Sequence, residues 1–167
     1  DLKGGVNDPS NPESYTIVDG KTDIYQPTRD GYSFDGWDYS YEDPVECNDA
    51  FDYWIPAGST GNVSLSARWV PTKYIISYEL NGGTLTTENP EDYNIESAEI
   101  TLNNPTRKGY TFLGWTGDGL ENPTADVTIP TGSIGNRSYT ANWQIKTSVA
   151  DIVEAAKNAI SDTLTYS

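Results

Sequence analysis

The chain has 167 residues and a formal net charge of −15, with 25 acidic against 10 basic side chains, no His, no Met and one Cys. That charge opposes partnership with nucleic acid or an anionic membrane surface. Without His, neither a Ser-His-Asp nor a Cys-His arrangement can be built, and Cys47 alone makes neither an intrachain disulfide nor a metal-holding cysteine cluster.

Read in order, the chain writes one set of elements twice. At an offset of 78, "LKGG" from Leu2 falls on "LNGG" from Leu80, "NPESYTI" from Asn11 on "NPEDYNI" from Asn89, and Pro27–Trp37 on Pro105–Trp115. The match then slips by four residues. At an offset of 74, "IPAGSTGNVSLSARW" (Ile55–Trp69) falls on "IPTGSIGNRSYTANW" (Ile129–Trp143). The repetition divides the chain into two units of about 70 residues, 1–71 and 72–145, with Val70-Pro71-Thr72-Lys73 as a short joint. Cores that small are marginal, so large aromatics are expected to supply much of the burial.

Within the second unit, "KYIISYELNGG" predicts a strand stopped by a Gly-Gly reversal. "SAEITL", "GYTFLGW", "ADVTIP" and "RSYTANW" predict the remaining strands, with a Gly-rich turn over 131–136 and one short helical turn in "TENPEDYNIES". Strict alternation along "GYTFLGW" puts Tyr110 and Phe112 on one face and Thr111, Leu113 and Trp115 on the other. In residues 146–167, Val149, Ile152, Val153, Ala156, Ile160 and Leu164 recur at helical spacing and Ser148 with Asp151 forms an approximate capping box. The expectation is an amphipathic C-terminal helix or the start of a next domain. Its polar face lacks the basic excess of a membrane-surface helix. No apolar run approaches the roughly 20 residues that span a bilayer, and Asp1 does not begin a signal peptide, so the signal of an exported protein would lie outside these residues.

"YELNGGT", "NPTRKGYTFLGW" and "IPTGSIGNRSYTANW", in that order within one unit, resemble the Listeria-Bacteroides repeat, also called the internalin B-type B-repeat. The resemblance covers most of residues 74–143 and, more loosely, 1–69. It implies a mainly β (α+β) chain: two tandem small β-grasp-like domains, of a kind found in large secreted or wall-anchored bacterial proteins and mostly treated as non-catalytic. It implies no shared ligand site. Two departures stand out. Asp1 aligns with Glu79, so the first copy lacks a counterpart of the "KYIISY" strand, and its middle is longer and more acidic. A sheet edge left unpaired there is a place for a strand from a neighbouring chain.

Duplicated residues are read as structural: Tyr32, Phe34, Trp37 and Trp69 in the first copy, Tyr110, Phe112, Trp115 and Trp143 in the second. Arg29 and Arg107 also recur and are expected to bridge to a carboxylate or carbonyl within their own domain. The unduplicated stretch "DGWDYSYEDPVECNDAFDYWIP" holds Asp35, Asp38, Glu42, Asp43, Glu46, Asp49 and Asp52 among Tyr39, Tyr41, Phe51, Tyr53 and Trp54. Setting "FDYWI" against "ADVTI" predicts Phe51, Tyr53 and Ile55 buried and Asp52 and Trp54 wet. Trp54, with Tyr39 and Tyr41, is therefore the candidate ligand-binding set, since exposed aromatics beside carboxylates suit sugar stacking and protein hot spots. The acidic run has no EF-hand spacing and reads as a solvated loop with Cys47 as an incidental thiol. No metal, cofactor or catalytic residue is expected, for no P-loop or dinucleotide fingerprint is present. A carboxylate-pair glycosidase would need a deep cleft that two separate small units do not offer. The expected role is a spacer or adhesion module on a bacterial surface or in a secreted protein. The alternative is a module binding a polysaccharide or a host or cell-surface protein. Beyond that, only neighbouring domains of a longer chain are expected as partners, with no membrane insertion.

Overall fold

The computed structural model describes residues 1–48, 51–150, 152–154 and 156–157. They are mainly β, and the chain divides into two compact units: 1–74 with 92–98 and 131–135, and 75–91 with 99–130 and 136 onward.

The first copy contributes β1 (Thr22–Ile24), β2 (Tyr32–Asp38), β3 (Glu46–Cys47), β4 (Tyr53–Ile55) and β5 (Ser66–Pro71). β2 runs antiparallel to β5, and β4 lies between β1 and β3 in a separate sheet. Ile24, Trp37, Val45, Tyr53, Ile55 and Ala67 form the buried core, with Leu2, Tyr15, Phe34 and Trp69 packed against it.

The second copy supplies β6 (Tyr74–Glu79), β7 (Asp92–Tyr93), β8 (Ile100–Thr101), β9 (Tyr110–Gly117), β10 (Leu120–Thr124), β11 (Thr128–Ile129) and β12 (Arg137–Ile145). Five of them make a sheet in the order β10-β9-β12-β6-β7, and β8 pairs with β11 apart from it. β12 is antiparallel to β9 but parallel to β6. The helical turn expected in 87–97 does not form: β7 occupies its middle, drawn out by the Ile76 N–H donating to Glu91 O at 2.8 Å. Over the described residues from Val149 the backbone is helical, Ile152 N donates to Ser148 O at 3.2 Å, and Val149, Ile152 and Val153 are exposed. Asp151, Ile160 and Leu164 lie outside the described residues.

Alternation along "GYTFLGW" fails, for a reason that recurs in both copies. Trp143 pairs with Phe112 and Asn142 with Gly114, which leaves Leu113 as the extra residue of a bulge. A bulge shifts the parity of every later residue in its strand. Trp115 therefore joins Phe112 on the core face, edge to ring at 5.6 Å, and Leu113 is turned to solvent. The first copy slips at the same place, and Phe34 meets Trp37 at 5.2 Å. Gly36 and Gly114, at φ +106° and +129°, supply backbone angles that a side chain resists.

Duplicated aromatics are used alike in the two copies. The Trp69 and Trp143 indole N–H groups donate to Leu2 O and Leu80 O, each at 3.0 Å. Tyr32 and Tyr110 are half-buried beneath Arg29 and Arg107, whose guanidinium carbons stand 3.8 and 3.7 Å from the ring centroids. The recurring arginines thus stack on a tyrosine three residues on, and among the described residues neither makes the expected bridge to an oxygen. Trp37 and Trp115 differ. Trp115 Nε1 donates to Asn104 Oδ1 at 3.1 Å, whereas Trp37 Nε1 is buried with no hydrogen-bond partner among the described residues. The residue aligned with Asn104 is Gln26. An unmade buried hydrogen bond costs about 1–3 kcal/mol, so Gln26→Asn is expected to raise the unfolding free energy by about 1 kcal/mol, as read by urea denaturation.

Candidate functional site

The four residues by which the first copy is longer decide where its next strand goes. In the second copy β10 folds back antiparallel on β9. In the first, β3 instead adds to the free side of β4, with Glu46 opposite Trp54 and Cys47 opposite Tyr53. Trp54 is therefore central in a three-stranded sheet, with Asp23 of β1 and Glu46 of β3 directly across from it and so on its face. Lys21 Nζ lies 4.8 Å from the Trp54 ring centroid and 2.6 Å from Asp23 Oδ1. Trp54 is half-buried on a face that carries two carboxylates and one cation, with Lys21 over its ring.

The tyrosines do not complete that surface. Tyr39 packs edge-on against Tyr53 at 6.2 Å, on the core side of the sheet, and its hydroxyl meets Cys47 Sγ at 3.6 Å. That contact, followed by burial, pushes the Tyr39 phenol up from its ordinary value. Cys47 thus has a structural neighbour. Tyr41 is 94% exposed. Phe51 breaks the predicted alternation: it sits at φ +59° and is exposed, because β4 begins only at Tyr53. Tyr53 and Ile55 are buried and Asp52 is exposed, as the register requires.

The acidic run is distributed over separate partners. Arg68 takes Asp38 at 2.8 Å and Asp35 at 3.5 Å, and the Asp38 bond holds its guanidinium above the usual value. Asp43 accepts from Ser40 N, and Asp52 accepts from Asn48 Nδ2. Among the described residues no group of three or more acidic or cysteine side chains is placed to hold a metal ion. Asp49 lies outside them.

A second feature lies apart from Trp54. A cleft of about 600 Å³ opens in the first copy, lined by Pro12, Tyr15, Trp37, Ile55, Val63 and Leu65 among others. Its walls are tied as they are in the second copy. Tyr15 Oη donates to Gly61 O at 2.6 Å, as Tyr93 Oη does to Gly135 O, and Asn11 exchanges two hydrogen bonds with Tyr25, as Asn89 does with Asn103.

Both copies have counterparts in sequence among known proteins. The model of the Listeria-Bacteroides repeat domain matches residues 1–68 and again 74–137. A candidate membrane protein of Evansella cellulosilytica is 33% identical over 119 residues, 71% of this chain and 17% of that protein. A candidate Gly-rich membrane protein of the same organism is 31% identical over 124 residues, 74% of this chain and 13% of its own length. The chain thus spans less than a fifth of either relative. No helix among its described residues is long and apolar enough to cross a membrane. No solved structure matches significantly. With the repeat model covering both copies, and with the same Trp, Arg and Gly geometry built twice, the chain belongs to the Listeria-Bacteroides repeat family and carries two of its domains in tandem.

Proposed function

We propose that this chain is a non-catalytic tandem repeat region of a secreted or cell-surface bacterial protein, acting there as a spacer and adhesion module. The carrying observation is that the duplicated side chains serve internal ends. Both bulge tryptophans and both carbonyl-bound tryptophans bind within their own copy, and both arginines stack on a tyrosine of their own copy, although the Tyr32 hydroxyl also donates to Glu96 Oε1. A family trait built this way maintains a fold and leaves specificity to residues outside it. The parallel pairing of the first and last strands of the second copy supports a β-grasp-like domain, and the names of the relatives support a place at the cell envelope. The net charge of −15 favours a solvated exterior.

The outer face around Trp54 supports a second reading, in which the first copy binds a polysaccharide or a cell-surface protein. Trp54→Ala separates the two. As a spacer, the variant keeps whatever retention on cell surfaces and soluble polysaccharides the parent shows, and loses about 1 kcal/mol of stability with its cross-strand and Lys21 contacts. Loss of specific retention by a folded Trp54→Ala chain would establish the binding module.

A further inference from the structure

The first compact unit is more than the first copy. Residues 92–98 and 131–135, which belong to the second copy by sequence, are part of it. They meet the first copy at Gly31 and Tyr32, the corner that leads into β2. Gly31 is buried, and a Cβ built there would stand 2.5 Å from Ile95 Cδ1, 3.0 Å from Ile95 Cβ and 3.1 Å from Ile134 Cγ2. Beside it, Tyr32 Oη donates to Glu96 Oε1 at 2.9 Å, a bond that holds the phenol above its ordinary value. The backbone between the copies is fixed at the same place. Thr72 N donates to Gly31 O at 2.9 Å, and the Ser33 and Thr72 hydroxyls share a bond of 3.1 Å.

The second copy repeats the corner without that cover. Tyr110 N donates to Arg107 O at 3.1 Å, as Tyr32 N does to Arg29 O, and Lys146 N donates to Gly109 O at 2.9 Å, as Thr72 N does to Gly31 O. Gly109 lies at φ +80° and Gly31 at +77°. Yet Gly109 is exposed, and a Cβ there meets nothing within 4 Å among the described residues. The bend of the corner therefore belongs to the repeat, whereas the burial of Gly31 comes from the residues laid over it. Those residues are themselves held in shape. Asn94 N donates to Ser97 Oγ at 3.0 Å and Glu96 N to Asn94 Oδ1 at 2.9 Å, while Gly132 N donates to Ile95 O at 3.2 Å and ties the two loops together. The first copy has Ile17, Val18 and Thr60 at the positions aligned with Ile95, Glu96 and Ile134, so the carboxylate and the second isoleucine are particular to the second copy.

We propose that the Gly31–Tyr32 corner is a socket for Ile95, Glu96 and Ile134 of the following copy, and that this contact makes the two copies unfold as one cooperative body. Repeats joined in a row are stabilised by their own cores plus a term from each neighbour. Cores of about 70 residues are marginal, so the neighbour term decides whether they open together. An apolar contact closed over a buried glycine, with a hydroxyl–carboxylate bond at its rim, supplies such a term. Coupling of this kind serves a spacer and a binding module alike.

Native-state amide exchange of the full chain across a urea series tests it, read in β2 and β5 for the first copy and in β9 and β12 for the second. The parent chain is expected to show one transition with the same midpoint in both sets. Ile134 is 46% exposed, so Ile134→Asp leaves the second copy folded. That variant is expected to split the transition and to speed exchange in β2 and β5 about tenfold, although the substituted residue lies in the other copy. Gly31→Ala and Gly109→Ala carry the same backbone penalty. Gly31→Ala is therefore expected to shift the unfolding equilibrium about tenfold further than Gly109→Ala, and that excess is expected to vanish in a chain carrying Ile95→Ala and Ile134→Ala. The proposal is overturned by two transitions in the parent, by unchanged exchange in β2 and β5 of Ile134→Asp, or by equal losses from the two glycine substitutions.

Discussion

Trp115→Ala is expected to lower the stability of the second unit by about 3–5 kcal/mol, the range for truncating a buried aromatic. Trp115 has no exposed surface. Its ring sits between Phe112 and Tyr78, and its Nε1 holds Asn104 in the turn before β9. Truncation removes both ring contacts, opens a void between the Tyr78 and Phe112 side chains, and leaves the turn without its donor. Urea denaturation followed by the tyrosine signal and by exchange along β12 measures the loss. A fall under about 1 kcal/mol would mean that the core collapses around the gap. Trp37→Ala in the first copy is expected to cost less, because its Nε1 has no partner among the described residues and its ring borders the cleft.

Gly117→Ala is expected to cost about 3 kcal/mol or more. Gly117 lies at φ +145°, and a Cβ placed there would stand 1.9 Å from Ser138 O, on the backbone of the strand with which β9 pairs. Neither atom is the end of a flexible side chain, so β9 and β12 must separate locally, losing the bonds between Asp118 and Ser138. Gly119 offers the comparison. It lies at φ +77°, yet a Cβ there meets nothing within 4 Å, so Gly119→Ala bears only the backbone term of about 1–2 kcal/mol. Thermal melts of the two variants separate steric exclusion from conformational preference. Equal losses would show that the close approach at Ser138 relaxes at little cost.

Some of this was readable before any coordinates. Repetition exposed the two copies, the turn before each Gly-Tyr pair, and the aromatic residues that both copies need, since a side chain retained in two registers of one design serves that design. Gly31 and Gly109 do sit at positive φ, at +77° and +80°. The short register of "FDYWI" placed Tyr53 and Ile55 inside because a period of two holds over three residues. It failed at Phe51, where no strand neighbour fixes the alternation, and at Trp115, where a bulge reverses it. Bulges depend on which strand lies alongside, and a local pattern does not carry that information.

The sequence by itself determined the family, the mainly β class, the acidic exterior and the tandem repeat, because each arises from composition or from self-similarity. Tertiary structure alone decided where the extra residues of the first copy lead. β3 joins β4 and places Trp54 between Asp23 and Glu46, while Tyr39 turns inward onto Tyr53. It also brought Tyr15, Asn11 and Trp37 to the walls of one cleft, with Tyr15 bonded to Gly61 and Asn11 to Tyr25. Both outcomes depend on pairing between segments far apart in the chain, whose energies are set by the partner strand as much as by the residues themselves.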